Sequence, residues 1–143
     1  MSIDPTSSRA RRHLGANLLF RGQPAEARAI FLAYLRLNPR DTFSASNRVQ
    51  LALSHYFEQD YETAADISKR LIAAYPQHPH AYRILAASVG QLGRRSEAEV
   101  ALRQANSIKP EALRLYTSER PPWMRQQDYD HVLEGLRKAG WQD

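Results

Sequence analysis

The sequence predicts an all-α protein, a solenoid of three antiparallel helix pairs with a C-terminal capping helix. The first observation is a spacing that occurs three times: a leucine, an alanine and a proline follow one another at the same two intervals in each copy. The three sets are Leu14, Ala27 and Pro39; Leu51, Ala64 and Pro76; and Leu85, Ala98 and Pro110. The second observation is that apolar residues recur with the period of an amphipathic helix, and no run alternates as a strand would.

The repeated spacing has a physical meaning for packing. Each leucine is followed by glycine or alanine, so a second helix can approach the first closely, and the alanine is the small residue where the helices cross. The proline prevents further helix and directs the chain into the next repeat. Ala27 begins an i, i+3, i+4, i+7 stripe with Ile30, Phe31 and Tyr34, as a buried helix face requires. The pattern predicts helices near 7–21, 24–37, 42–58, 61–74, 79–92 and 95–107.

This skeleton resembles the tetratricopeptide-repeat family, whose unit is a helix-turn-helix of about 34 residues. The resemblance implies repeats at about 8–39, 42–76 and 79–110, after a flexible N-terminus at 1–7 and before a linker and capping helix at 111–143. The step from Pro39 to Pro76 is slightly longer than the family period. We expect the excess to form about one extra turn at the start of the helix after Asp41.

The resemblance also implies where a partner would bind. In this family the first helices of successive repeats line a concave groove, and their groove positions can be transferred to this chain. We expect a protein or peptide partner there, and arginines at the groove edges favour an acidic one. The predicted groove residues are Arg9, Arg12, His13, Phe20, Gln50, Tyr56, Phe57, His80, Arg83 and Gln91. The alternative is that the C-terminal segment or a partner subunit covers part of this surface, so homo-oligomerisation remains open.

The C-terminal segment departs from the repeat pattern after Pro110. Pro121 and Pro122 disfavour helix before them, and a last amphipathic helix is predicted near 126–139. We expect it to cap the third repeat, with Trp123 and Trp141 packing there, because a solenoid must close its exposed end. The segment also resembles the C-terminal end of alphaproteobacterial proteins in which a tetratricopeptide array follows a class III adenylate/guanylate cyclase domain. That resemblance implies an alternative function, a regulatory or assembly domain related to nucleotide cyclases.

Composition limits the other functions. The chain of 143 residues carries 20 basic and 15 acidic side chains and no cysteine, which excludes disulfides and thiolate metal sites. Nucleic-acid binding by the basic surface is a weaker alternative, because no nucleic-acid motif accompanies the net charge of +5. His78 and His80 lack a third metal ligand, and no nucleotide or nucleophile motif occurs. We therefore expect no enzyme, no metal, no cofactor, no membrane span and a cytoplasmic location.

Overall fold

The computed structural model describes residues 8–40 and 44–142, which form eight α-helices and no strand. The all-α prediction is confirmed. Two predictions lie outside these ranges. They are the flexible N-terminus at 1–7 and the extra turn that begins after Asp41. The helices are α1 Ser8–Phe20, α2 Pro24–Leu37, α3 Ser44–Phe57, α4 Tyr61–Ala74, α5 Pro79–Gln91, α6 Arg95–Ile108, α7 Pro110–Ser118 and α8 Gln126–Lys138. The predicted helices agree with these bounds to within one or two residues.

The first helix of each repeat ends in the same way. In each case a backbone N–H donates to a carbonyl in the last turn of the helix: Gln23 to Leu18, Asp60 to His55, and Arg94 to Val89. This bond is typical of the Schellman motif, which requires a left-handed residue just before the donor. In repeats one, two and three that residue is Gly22 (φ 87°), Gln59 (φ 65°) and Gly93 (φ 76°). The three tight turns therefore share one geometry, although the second lacks glycine.

The helix pairs pack through the small residues that the spacing singled out. Ala27, Ala64 and Ala98 are completely buried. A Cβ at Gly15 would lie 2.5 Å from the Phe31 ring, so α1 and α2 are in close contact there. The helix pairs are α1–α2, α3–α4 and α5–α6, and the contacts of α2 with α3 and of α4 with α5 join the repeats. The described residues therefore form the predicted solenoid of three helix pairs.

The segment predicted as a linker after Pro110 contains a helix, α7. Pro110 occupies its first turn, where the missing N–H has no cost, and Leu113 and Tyr116 form a buried face one turn apart. This short helix lacks the longer apolar stripe of the repeats, which is why periodicity does not predict it. After α7 the chain turns through Pro121 and Pro122, and α8 begins at Gln126, as predicted for the last helix.

Candidate protein-binding groove

The concave face of the repeats is partly covered by α8, which packs against α5. The two backbones touch at glycines: a Cβ at Gly90 would overlap the carbonyl oxygen of Gly135, and a Cβ at Gly135 would lie 2.6 Å from the carbonyl oxygen of Ala87. Gly90 and Ala87 belong to the face of α5 that lines the groove in this family. The C-terminal helix therefore packs on the third repeat, but on its inner face.

Polar contacts join α8 to the C-terminal ends of α3 and α5 and to the first residue of α4. The Tyr56 hydroxyl donates to the carbonyl oxygen of His131 at 2.6 Å and accepts from Gln91 Nε2 at 3.2 Å. Lys138 Nζ donates to Gln91 Oε1 at 2.9 Å, and the Tyr61 hydroxyl lies 2.7 Å from His131 Nε2. Tyr56 is completely buried, and this burial raises the pKa of its hydroxyl far above the ordinary value. Tyr56 and Gln91 are thus engaged within the chain.

The remainder of the concave face is open. It borders a groove of about 1050 Å³, which α1, α3 and the start of α5 line on one side. α7 and the segment 119–124 line the other side. Beyond that segment, the Arg125 guanidinium lies against Gly22, where any Cβ would overlap it, and also forms an ion pair with Asp128 at 3.0 Å. The C-terminal segment therefore reaches from repeat three to the turn of repeat one. We call the groove between α1, α3 and α5 on one side and α7 and residues 119–124 on the other the open groove.

The structure separates the ten predicted groove residues into two sets. Those that line the open groove are His13, Phe20, Gln50, His80 and Arg83. Arg9 and Arg12 lie at the start of α1 and do not line it, and Tyr56 and Gln91 are hydrogen-bonded to residues of α8. Phe57 is half-buried, with its ring edge-on to Tyr56.

Sequence reasoning missed the opposite wall of the open groove. Leu115 and Trp123 are 65% and 62% exposed and line it, together with the buried Tyr116 and Met124. The prediction that Trp123 packs onto the third repeat is wrong, whereas Trp141 is half-buried against the core. The sequence contained one signal for this wall: Trp123 directly follows Pro121 and Pro122, so a large apolar side chain lies outside every predicted helix.

The floor of the open groove contains a buried cation. Arg83 is 8% exposed, and its guanidinium carbon lies 3.9 Å from the centre of the Tyr116 ring. Arg83 Nη1 donates to His80 Nδ1 at 2.8 Å, so this imidazole accepts and is neutral. His80 keeps exposed surface, yet protein atoms around its ring desolvate it, and this effect and the Arg83 charge lower its pKa. Burial lowers the pKa of Arg83 and raises the pKa of Tyr116 to about 12.

The charged residues that line the open groove are mostly basic. The basic ones are Arg21, Arg83, Lys109 and Arg120, and the acidic ones are Glu111 and Glu119. Four cations against two anions leave an excess of positive charge while the histidines are neutral. The same surface includes apolar side chains from both walls, so it combines positive charge with hydrophobic contact area.

No group of three or more histidine, aspartate or glutamate side chains within 8–40 and 44–142 could hold a metal ion. No helix in those ranges is long and apolar enough to cross a membrane.

Comparison with known proteins identifies the repeats. A protein-family model described as anaphase-promoting complex, cyclosome, subunit 3 matches residues 7–105, more than half of the chain. Among solved structures, the crystal structure of MamA is similar, with a TM-score of 0.67 and 25% sequence identity, covering 95% of this chain and 78% of MamA. A search of curated protein sequences finds no significant match. These comparisons do not test the resemblance to cyclase-associated arrays, which stays a prediction.

Both matches are to proteins built from tetratricopeptide-type repeats. Such arrays present concave surfaces to partners and are typically scaffolds for protein–protein interaction rather than enzymes. The matched segment covers the three helix pairs and ends within α6, before the C-terminal segment that forms one wall of the open groove. The chain belongs to the family of subunit 3 of the anaphase-promoting complex, with repeats of the tetratricopeptide type.

Proposed function

We propose that this chain is a non-catalytic interaction module that binds a segment of a partner protein in the open groove. The observation that carries the proposal is that α8 covers one end of the concave face and leaves the other end open. Leu115 and Trp123 remain largely exposed on its wall. Large apolar side chains gathered in a concavity are typical of a binding surface, whereas single exposed ones are not.

The dimensions and charge of the open groove favour an extended acidic segment. Its volume of about 1050 Å³ slightly exceeds the roughly 300–1,000 Å³ that small-molecule sites occupy. Arg21, Lys109 and Arg120 add positive charge along it. Charge complementarity speeds association with an acidic partner and disfavours basic ones. We therefore expect a partner segment that combines acidic residues with apolar ones.

In this proposal α8 shapes the groove and is not displaced by the partner. The glycine contact with α5, the buried Tyr56 and the apolar face of Val132 and Leu136 hold it in place. The segment from α7 to Arg125 is thereby fixed at both ends. A preformed groove binds its ligand with less loss of conformational entropy than a groove that must first assemble.

The proposal can be tested by affinity capture from the native cell with matched variants. Trp123→Ala and Phe20→Glu change opposite walls of the open groove, whereas Val100→Ala changes a 44% exposed residue of α6 that does not line it. We expect one set of proteins to be captured by the wild type and by Val100→Ala and lost with both groove variants. Capture that is equal for all folded variants would show that the open groove does not bind the partner.

A further inference from the structure

We propose that Arg83 is an anion-binding anchor in the open groove, which holds the carboxylate of an aspartate or glutamate side chain of the partner segment. This inference rests on the proposed function and specifies the chemistry of the bound segment. Arg83 is a buried charged group that is only 8% exposed and borders the open groove. A buried charge has a large free-energy cost unless it is paired.

No described carboxylate neutralises this guanidinium. None of the ion pairs among residues 8–40 and 44–142 includes Arg83, and the only charged or polar contacts it makes there are with His80 and the Tyr116 ring. One donor of the guanidinium is used by His80, and the other donors have no partner in the described part of the chain. A guanidinium has five N–H donors, so it retains the capacity for a bidentate ligand.

The surroundings strengthen the attraction for an anion. Lys109, His78 and His80 line the groove beside Arg83, and the charge of Lys109 is close enough to lower the pKa of His80. The Tyr116 ring packs against the guanidinium, with its centre 3.9 Å from the guanidinium carbon. A planar, oriented guanidinium in a partly desolvated site matches the geometry of a carboxylate. An anion bound there would supply the missing counter-charge.

The walls indicate that the carboxylate belongs to a peptide. Val49 and Leu53 on one side and Leu115 and Trp123 on the other border the same groove and can bury apolar side chains beside the anchored residue. Glu111 and Glu119 also line it, and their repulsion of an anion increases with its charge, so they disfavour a polyphosphate or a nucleic-acid backbone more than a single carboxylate. A segment with one acidic residue next to apolar residues fits this arrangement better than a free phosphate.

The site is distinct from the clamp by which chaperone-binding relatives hold a C-terminal carboxylate. At the clamp positions this chain has a cation in Arg12, but the remaining positions are Ala16, Gln50, His80 and Ile84, so the clamp is not reproduced. Arg83 precedes Ile84 by one residue, and its guanidinium lies against Tyr116 of α7, outside the three repeats. The inference therefore concerns an internal acidic side chain.

The test uses the intact chain and a phage library of random nonapeptides that are displayed without a free C-terminus. Selected peptides are synthesised as fluorescent amides, and their binding to each protein is measured by fluorescence anisotropy. The proteins are the wild type, Arg83→Met, Arg83→Lys and the control Arg95→Met, which changes a side chain that is 84% exposed. Trp123→Ala shows which peptides occupy the open groove, and circular dichroism shows that each variant is folded.

We expect enrichment of aspartate or glutamate, and about 10- to 100-fold weaker binding to Arg83→Met, because a hydrogen-bonded charge pair is lost. Arg83→Lys should bind with intermediate affinity, because lysine keeps the charge and loses the planar fork. Replacing the acidic residue of the peptide by its amide should weaken binding to the wild type but not to Arg83→Met. If Arg83→Met fails to fold, the same peptide pair is compared on the wild type and Arg83→Lys, where the amide should weaken binding to Arg83→Lys less than to the wild type.

The outcomes separate the inference from the proposed function. Peptides that are weakened by Trp123→Ala but insensitive to Arg83 and to amide substitution would overturn the anchor and leave the groove as a binding site. If no selected peptide is weakened by Trp123→Ala, the proposed function fails as well. Complete displacement of the peptide by millimolar inorganic phosphate would assign the anion site to free phosphate and overturn the peptide assignment.

Discussion

The substitution Gly135→Ala tests the packing of α8 on the concave face. A Cβ at this position would overlap the hydroxyl of Tyr56, and it would lie 2.6 Å from the carbonyl oxygen and 3.0 Å from the Cα of Ala87. Two of these three neighbours are backbone atoms of α5, which cannot rotate away as a flexible side chain could. The helix α8 must therefore move outward to accommodate one methyl group.

Two opposing effects decide the sign of the change in stability. Alanine is better than glycine inside a helix by about 1 kcal/mol. Overpacking at a close contact costs about 1–3 kcal/mol, and loss of the hydrogen bond from Tyr56 to His131 adds about 1 kcal/mol. We expect a net loss of about 1–3 kcal/mol. For a chain of this length each kcal/mol lowers the melting temperature by roughly 3–5 °C.

Thermal unfolding followed by circular dichroism measures this effect. The control is the isolated peptide 126–142, in which the same substitution should raise helix content because only helix propensity acts there. A lower melting temperature of the chain together with a higher helix content of the peptide would support the close packing of α8 on α5. A melting temperature of Gly135→Ala at or above that of the wild type would refute the close contact between α8 and α5.

Three further predictions concern the repeats and the histidines. Ala98→Leu overpacks a completely buried helix crossing and should lower the free energy of unfolding by about 1–3 kcal/mol. An unchanged melting temperature would show that Ala98 is not at the crossing. Gln59→Gly should raise the melting temperature, because a side chain at φ 65° costs about 1 kcal/mol, and a lower value would contradict that strain. Lowering the pH from about 7.5 to about 5 should lower the melting temperature. Burial lowers the folded-state pKa of several histidines, so below about pH 6.5 the unfolded chain binds more protons than the folded one. A melting temperature that does not change with pH would contradict this. These histidines are His55, His78, His80 and His131.

The three helix pairs could be predicted from the sequence because their contacts are local. Ala27, Ala64 and Ala98 each follow a leucine of the preceding helix at one constant interval, so one spacing specifies both partners of a crossing. Repeats contact only their neighbours, which makes each pair nearly independent of distant parts of the chain. The turn at Gln59 has the geometry of those at Gly22 and Gly93 without a glycine, so the packing of the helix pair holds a residue that the turn itself disfavours.

The candidate site could be predicted only in part. His13, Phe20, Gln50, His80 and Arg83 line the open groove because repeat positions alone determine which side of a first helix is concave. Repeat positions cannot show that another segment already covers some of that face. The placement of Tyr56 and Gln91 under or beside α8 therefore could not be read from the periodicity.

The sequence by itself determined the helix pairs, their order and the concave side, since these depend on residues at most about one repeat apart. The tertiary structure decided where the groove remains open. Tyr56 and His131 are 75 residues apart, and Gly90 and Gly135 meet because both lack a side chain at one crossing of two distant helices. Such steric complementarity between distant helices does not produce a repeating pattern in the sequence. It appears only when the C-terminal segment folds back, leaving Arg83 buried in the floor of the open groove and Trp123 exposed on its wall.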